Sequence, residues 1–508
     1  MRLFYKFSPA RPIFFVALAL FSLGCPSRVK TPADTLVVGL EAAPLTLDPR
    51  LASDAYSSKI THLIHNGLFR LSERMEVVPD LARSYEMVSP QQYRIHLRQG
   101  VRFHNGADVT ADDVKATLES AADPKLASPF RGTMEKIESI TVIDPLTLDI
   151  RLKETFSPFL SNLTLGIIPR GGDPLVGTGP FVFASMTPNE EVSLKRNPDY
   201  FGDVKPSMEL LRFRVIPDDN LRVLEMKNGR IDVLQNNVPP ALLGALKDDD
   251  ALMIETTEGT NMTYLGMNLR GGALAKPEVR EAIARALDIP ALIDYRMNRL
   301  ARPANGILAP IHWAYEPDVS HYDFDPRKAR ELLDKAGLTD PDGDGPRPRF
   351  SLGYKTSTKK DRIGLARLIA RYLKDVGIEV KVLPYDWGVF FHDVNSGNFE
   401  AFSLTWVGVA EPDIYYNAFH SSQVPPAGAN RGGYANPVID QLTEGGRSEM
   451  DPAKRKEIYS AVQKVLSQDL PIIPLWYENN YAVFSRRVKG LRLRPDASFD
   501  WAVEVSKQ

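Results

Sequence analysis

The stretch from Arg349 to Gly408 limits the architecture more than any other part of this chain. RFSLGY (349–354) reads as a strand, DRIGLARLIARYLKDVG (361–377) as a helix closed by Gly377, IEVKVL (378–383) as an alternating strand and FEAFSLTWVG (399–408) as another. Strand, helix and strand at this spacing call for parallel pairing through right-handed crossovers. The text before it has the same character. KPEVREAIARAL sets Val279, Ile283 and Leu287 on one helical stripe after Pro277, and DPRKARELLDKAGL starts at an Asp325 cap and stops at Gly337. An α/β lobe over about residues 266–480 follows.

The first half is richer in hairpins. TLVVGLEAAPLTLDPR opens at Thr35 as a strand and breaks at Pro44 and Pro49. QQYRIHLRQG alternates Tyr93, Ile95 and Leu97, a turn is expected at Asn105-Gly106, and VTADDVKATLES begins a helix with the capping-box spacing of Thr110 and Asp113. SITVIDPLTLDIRLKE carries two strand-like runs around Asp144-Pro145, a hairpin. These are α+β segments beside the α/β lobe.

Ile13–Leu23 is an apolar run preceded by Arg2, Lys6 and Arg11 and followed by Gly24 and Cys25, the parts of an export signal that is too short to span a bilayer comfortably. Cys25 is the only cysteine among 508 residues, so no intrachain disulfide can form and the exported chain must rely on its apolar cores. Ordinary signal cleavage beside an incidental thiol is the bland alternative. After cleavage at residue 24 the chain carries 59 cationic against 64 acidic residues, a mildly acidic surface without the basic stripe that nucleic acid requires. No second run reaches the length of a membrane span.

Short patterns that invite chemistry fall away one by one. GTGPF (177–181) lacks the Gly-Lys-Ser/Thr of a phosphate loop and reads as a turn. His62 and His65 lack a third ligand at metal spacing and read as one half-buried helical face. Asp340, Asp342, Asp344 and Gly345 open like a calcium loop, yet Ser351 stands where a bidentate glutamate is needed, so a polar turn is expected. Neither a Gly-x-Ser-x-Gly elbow nor His-Glu-x-x-His is present. The chain reads as a binding protein and not an enzyme, with no cofactor and no metal.

GVRFHNGADVTADDV (100–114) strongly resembles the signature of the family 5 extracellular solute-binding proteins, the peptide- and nickel-binding components of ABC importers. The family's other landmarks follow in order: TLDP at 46, IHNGLF at 64, GTGPF at 177, RNPDYFG at 196, KNGRIDVL at 227, MNLR at 267, TWVGVAEPDIYYNAF at 405 and LPIIPLW at 470. The resemblance implies a periplasmic-binding-protein type II-like two-lobed clam with an extra inserted subdomain. Its first lobe would comprise 25–65, 171–265 and 481–508, the inserted subdomain 66–170, and the second lobe 266–480, after a signal peptide at 1–24. Cys25 resembles the acylated cysteine of a lipobox, although Ser22 departs from the usual aliphatic residue, and Pro26 is not the aspartate that retains many lipoproteins on the inner membrane.

By the same resemblance the partners are a short peptide or similar small solute, an ABC permease with its ATPase subunits, and the membrane through Cys25. The receptor is expected to be a monomer in the periplasm or cell envelope. A sensor or scaffold that keeps the fold without transport, and a carrier of a metal chelate, are the alternatives. Peptide binders of the family place an aspartate three residues after a tryptophan like Trp406, to pair with the peptide's ammonium group; here that residue is Val409. Glu411 or Asp413 either replaces it or caps the turn before IYYNAF. The expected cleft therefore consists of Glu41 on the first lobe, Tyr264 and Asn268 at the crossover, and Trp406 with Glu411 on the second lobe.

Overall fold

The crossover at 350–385 forms as its pattern dictates. In the computed structural model, which describes residues 30–343 and 345–508, Phe350–Ser357 and Ile378–Tyr385 pair in parallel from Phe350 opposite Ile378 to Ser357 opposite Tyr385. The intervening helix Lys360–Lys374 buries Leu365, Ile369 and Leu373, spaced four apart on one face, and the chain reverses at Gly377 with φ +85°. Ala401–Trp406 joins the other edge of Phe350–Ser357 in parallel. The six-stranded sheet is nevertheless mixed. Met262–Met267 lies antiparallel between Ala401–Trp406 and Ile472–Glu478, and Ala301–Pro303 closes the edge.

A seven-stranded sheet is assembled from segments far apart in the chain. Its order is Leu252–Thr257, Asn480–Ser485, Val233–Gln235, Thr35–Leu40, Leu210–Val215, Glu191–Arg196 and Phe181–Thr187. Thr35–Leu40 is buried along its whole length and pairs in parallel on both sides, which accounts for its unbroken apolar text. A third, four-stranded antiparallel sheet runs Ala82–Ser89, Gln92–Leu97, Thr147–Leu152, Ile137–Asp144. Tyr93, Ile95, Leu97, Leu148, Ile150 and Leu152 alternate into a core of its own. The helix Ala111–Ala122 starts with the reciprocal Thr110 and Asp113 box, the Thr110 amide donating to the Asp113 carboxylate at 2.9 Å.

GTGPF is a packing turn between units. A Cβ on Gly177 would stand 2.0 Å from the Ile64 carbonyl oxygen, so only glycine fits. The His104 amide donates to Gly177 O at 2.9 Å, which docks the four-stranded unit on the seven-stranded one, and Asn197 of RNPDYFG steadies the turn by donating to Gly179 O at 2.9 Å. The same unit also reaches the six-stranded unit. Ser157 Oγ donates to Gly446 O at 3.0 Å on the helix Pro437–Ser448, the Arg447 guanidinium lies 5.1 Å from the Phe156 ring centre, and Met450 packs on the four-stranded unit's core. Residues 1–24, expected to be a signal peptide, and Cys25 lie outside the described residues. Among the described residues no helix is long and apolar enough to cross a membrane.

Candidate functional site

Two short connections carry the chain between the large sheets. Residues 258–261 link Leu252–Thr257 to Met262–Met267, and Asn479 links Ile472–Glu478 to Asn480–Ser485. They run side by side: the Glu478 amide donates to Asn261 O at 2.9 Å, and a Cβ on Gly259 would meet Glu478 O at 2.3 Å. Strand direction then decides which residues face each other. Trp406 pairs with Met262, so it sits at the connection end of its sheet. Val233–Gln235 runs antiparallel to Asn480–Ser485 and parallel to Thr35–Leu40, so Glu41, just past Leu40, also emerges at the connection end.

On the first side Glu41 is exposed beside Tyr56, Lys59 and Tyr481. Burial, then the Glu41 charge, pushes the Tyr56 hydroxyl up to about 12. Burial draws the Lys59 ammonium down to about 8, against the pull of Asp496 and Glu41, and its Nζ lies 5.3 Å from the Phe499 ring centre. Asn237 fastens this floor, donating to Gly39 O at 2.7 Å, while the buried Arg222 holds the Asn237 carbonyl.

The second side is a ladder of flat groups. Trp406 stacks on Tyr264 with ring centres 6.0 Å apart and planes 15° apart. The Arg431 guanidinium lies 5.6 Å from the Trp406 ring centre and 5.6 Å from that of Phe391, and Phe391 stacks on Trp387 at 5.4 Å. Trp387 is 57% exposed. It begins the helix Trp387–Asn395, which starts just past Tyr385, at the same end of the sheet as Trp406. A cavity of about 20 Å³, room for one water, lies under the ladder between Tyr264, Phe402, Trp406 and Arg431. A larger cavity of about 310 Å³, lined by Leu287, Ile289, Tyr322 and Leu466 among others, lies within the six-stranded unit and touches none of the five expected site residues.

The structure brings Trp406 and Tyr264 together and leaves Asn268 apart. The crossover precedes Met262 instead of following Met267, so Asn268 falls at the far end of its strand. There its Nδ2 donates to Gly397 O and Phe399 O at 3.1 and 2.9 Å, and its Oδ1 accepts from the Arg270 amide, which fastens a turn. Glu411 is ion-paired with Arg455, a side chain 9% exposed, and Asp413 with Arg447 at 3.0 Å. Burial pushes the Asp413 carboxyl up to about 7 against the attraction of Arg447. Val409 is buried in an apolar cluster. The loop after Trp406 thus holds no carboxylate without a cation of its own.

The paired histidines do not share a face: His62 is exposed, whereas His65 is buried with its ring nitrogens at Thr61 O and Pro174 O. Asp342 accepts from the Arg347 amide in a polar turn, and Asp344 lies outside the described residues. Among the described residues no group of three or more His, Cys, Asp or Glu side chains could hold a metal ion.

Sequence reasoning missed Arg431, Tyr56, Asn237 and Tyr481. It also missed His312, which supports the Trp406 loop. His312 Nε2 lies 3.1 Å from Ala410 O and its Nδ1 accepts from the Ala314 amide at 3.0 Å, an arrangement that needs the neutral ring. Burial lowers its pKa from 6.5 to about 4. Between these values the unfolded chain holds a proton that the folded one does not, so this stability is complete above about pH 6.5 and lost as pH falls toward 4. His65, also drawn down to about 4 by burial, adds with the same sign. The melting temperature is therefore expected to drop between pH 7 and pH 4.5, less steeply in His312→Gln. An identical slope in that variant removes His312 from the account.

The family model described as "Bacterial extracellular solute-binding proteins, family 5 Middle" matches residues 76–425. The glutathione-binding protein GsiB of Escherichia coli O6:K15:H31 is 29% identical over 489 residues, covering 92% of this chain and 94% of that one. The crystal structure of NikZ from Campylobacter jejuni in complex with Ni(L-His) superposes with a TM-score of 0.80 at 27% identity, over 94% of this chain and 100% of that one. The oligopeptide-binding protein AppA from Bacillus subtilis, in complex with a nonapeptide, gives 0.78 at 25% identity over 93% and 99%.

Proposed function

Since the chain belongs to the bacterial extracellular solute-binding proteins of family 5, we propose that it captures a short peptide or similar small solute between its lobes and hands it to an ABC permease. The observation that carries this reading is the convergence of Glu41 and Trp406, from two different sheets, on the one end where both connections cross. A receptor of this kind supplies affinity and a closed shape, and the ATPase subunits of other chains supply the work. The lobes follow the segments 25–65, 171–265 and 481–508 against 266–480, with 66–170 inserted. Acylation of Cys25 holds the monomeric receptor at the membrane.

Mass spectrometry of solutes extracted from gently released protein tests the reading. A short peptide or comparable small molecule is expected; recovery of nucleotides alone counts against it. Within the cleft, Trp406→Ala removes one aromatic anchor and is expected to weaken binding by about 1–3 kcal/mol with the fold intact. If the variant melts far lower yet binds normally while folded, Trp406 belongs to the core it leans on.

A further inference from the structure

We propose that Arg431 takes a carboxylate of the solute on the second lobe, so that the solute lies with its negative end toward Trp406 and its positive end toward Glu41. This rests on the reading of the protein as a peptide-type receptor and adds the polarity of capture. A zwitterionic solute enclosed between lobes brings one charge of each sign, and each loses water on closure unless a group of opposite sign meets it. On the Trp406 loop, Val409 is buried apolar, and Glu411 and Asp413 are paired with Arg455 and Arg447. An ammonium group arriving there would compete with two arginines for two carboxylates.

The cation beside Trp406 is differently placed. Arg431 makes no ion pair among the described residues. Its Nε donates to Asn395 Oδ1 at 3.0 Å, which fixes the plane of the guanidinium, and the flanking rings of Trp406 and Phe391 limit its motion. The Tyr264 hydroxyl also meets the guanidinium as a hydrogen-bond partner, and a group fixed there and at Nε and half-buried against aromatic faces keeps its remaining terminal N–H donors for a planar anion, which arginine binds through parallel hydrogen bonds. Across the cleft Glu41 is exposed, and Asp496 stands near Lys59. The first lobe therefore sets Glu41 and Asp496 against the single ammonium of Lys59, which leaves it one carboxylate in excess, whereas Glu411 and Asp413 on the second lobe each have an arginine.

The test uses full-length receptor, immobilised, and two probes: a tripeptide library with free C-termini and the same library as C-terminal amides, with retention read by mass spectrometry. Wild type is expected to retain the amides about 10- to 100-fold less well, the effect of a hydrogen-bonded charge. Arg431→Gln is expected to bind the free acids as weakly as the amides. Arg431→Lys, which keeps the charge and loses the fork, should fall between. Equal retention of both libraries by wild type, or a preference for free acids that survives in Arg431→Gln, overturns the assignment and leaves peptide capture standing. Retention of neither library by wild type overturns the peptide reading together with it. Melting curves establish that the variants are folded, and the wild-type comparison stands without them.

Discussion

Asp232→Ala is expected to lower unfolding free energy by about 3–5 kcal/mol, the cost of stranding one half of a buried ion pair. Lys507, the penultimate residue of the sequence, places Nζ 2.8 Å from Asp232 Oδ2 with side chains 0% and 2% exposed. The same carboxylate accepts from Thr31 Oγ1 at 2.7 Å and from the Val37 amide at 2.9 Å. It thereby ties the last strand residues to the first. Without Asp232 the ammonium stays in a dry site that already depresses its pKa through burial. Urea denaturation measures the loss. Solute binding by the folded fraction should be unchanged, because Asp232 precedes Val233–Gln235, at the end of that strand away from the connections. A shift in midpoint worth less than 1 kcal/mol would mean that Lys507 escapes to solvent. The double variant Asp232→Leu, Lys507→Met should recover much of the stability, since it leaves no buried charge.

Arg222→Met is expected to cost about 3 kcal/mol or more and also to weaken solute binding. Arg222 is 1% exposed and donates to Ile216 O at 2.6 Å, Pro217 O at 2.9 Å and Asn237 O at 2.7 Å. Methionine retains the volume but orphans three carbonyls, each worth about 1–3 kcal/mol when buried without a partner. Asn237 is also the residue that holds Gly39 beside Glu41, so the floor of the cleft loosens with it. Asp219, the ion-pair partner of Arg222, is 49% exposed, and Asp219→Asn should change little. Denaturation and calorimetric binding on both variants separate the two effects; a destabilised Arg222→Met that binds normally would detach the floor from solute capture.

Local elements were legible wherever short-range chemistry decides. The Thr110 box, the Asp144-Pro145 hairpin and the stripe Leu365, Ile369, Leu373 depend only on neighbours within a turn or two. Asn268 shows the limit. It was expected at the crossover, but which end of its strand met the connection depended on Met262 pairing with Trp406 and Tyr477, partners more than 140 residues away. Arg431 had no signal at all: an arginine in RGGYANP says nothing of Phe391 and Trp406 until the loop is folded over the sheet. Glu411 was visible as a carboxylate near the tryptophan, while Arg455, which neutralises it, lies 44 residues on in the helix Pro452–Asp469.

The contact of Ser157 and Phe156 with Gly446 and Arg447 gives the molecule a second joint opposite in kind to the first. The covalent connections never part, whereas this joint is non-covalent and includes a hydrogen bond, a cation over a ring and a methionine. On the reading proposed above, a solute between the lobes is enclosed by chain that opens at a non-covalent link of this kind. How tightly it is held follows the groups it touches; how long it stays follows how often that link breaks. Changes at Phe156 or Arg447 can therefore reset residence time while leaving the chemistry of recognition as it was.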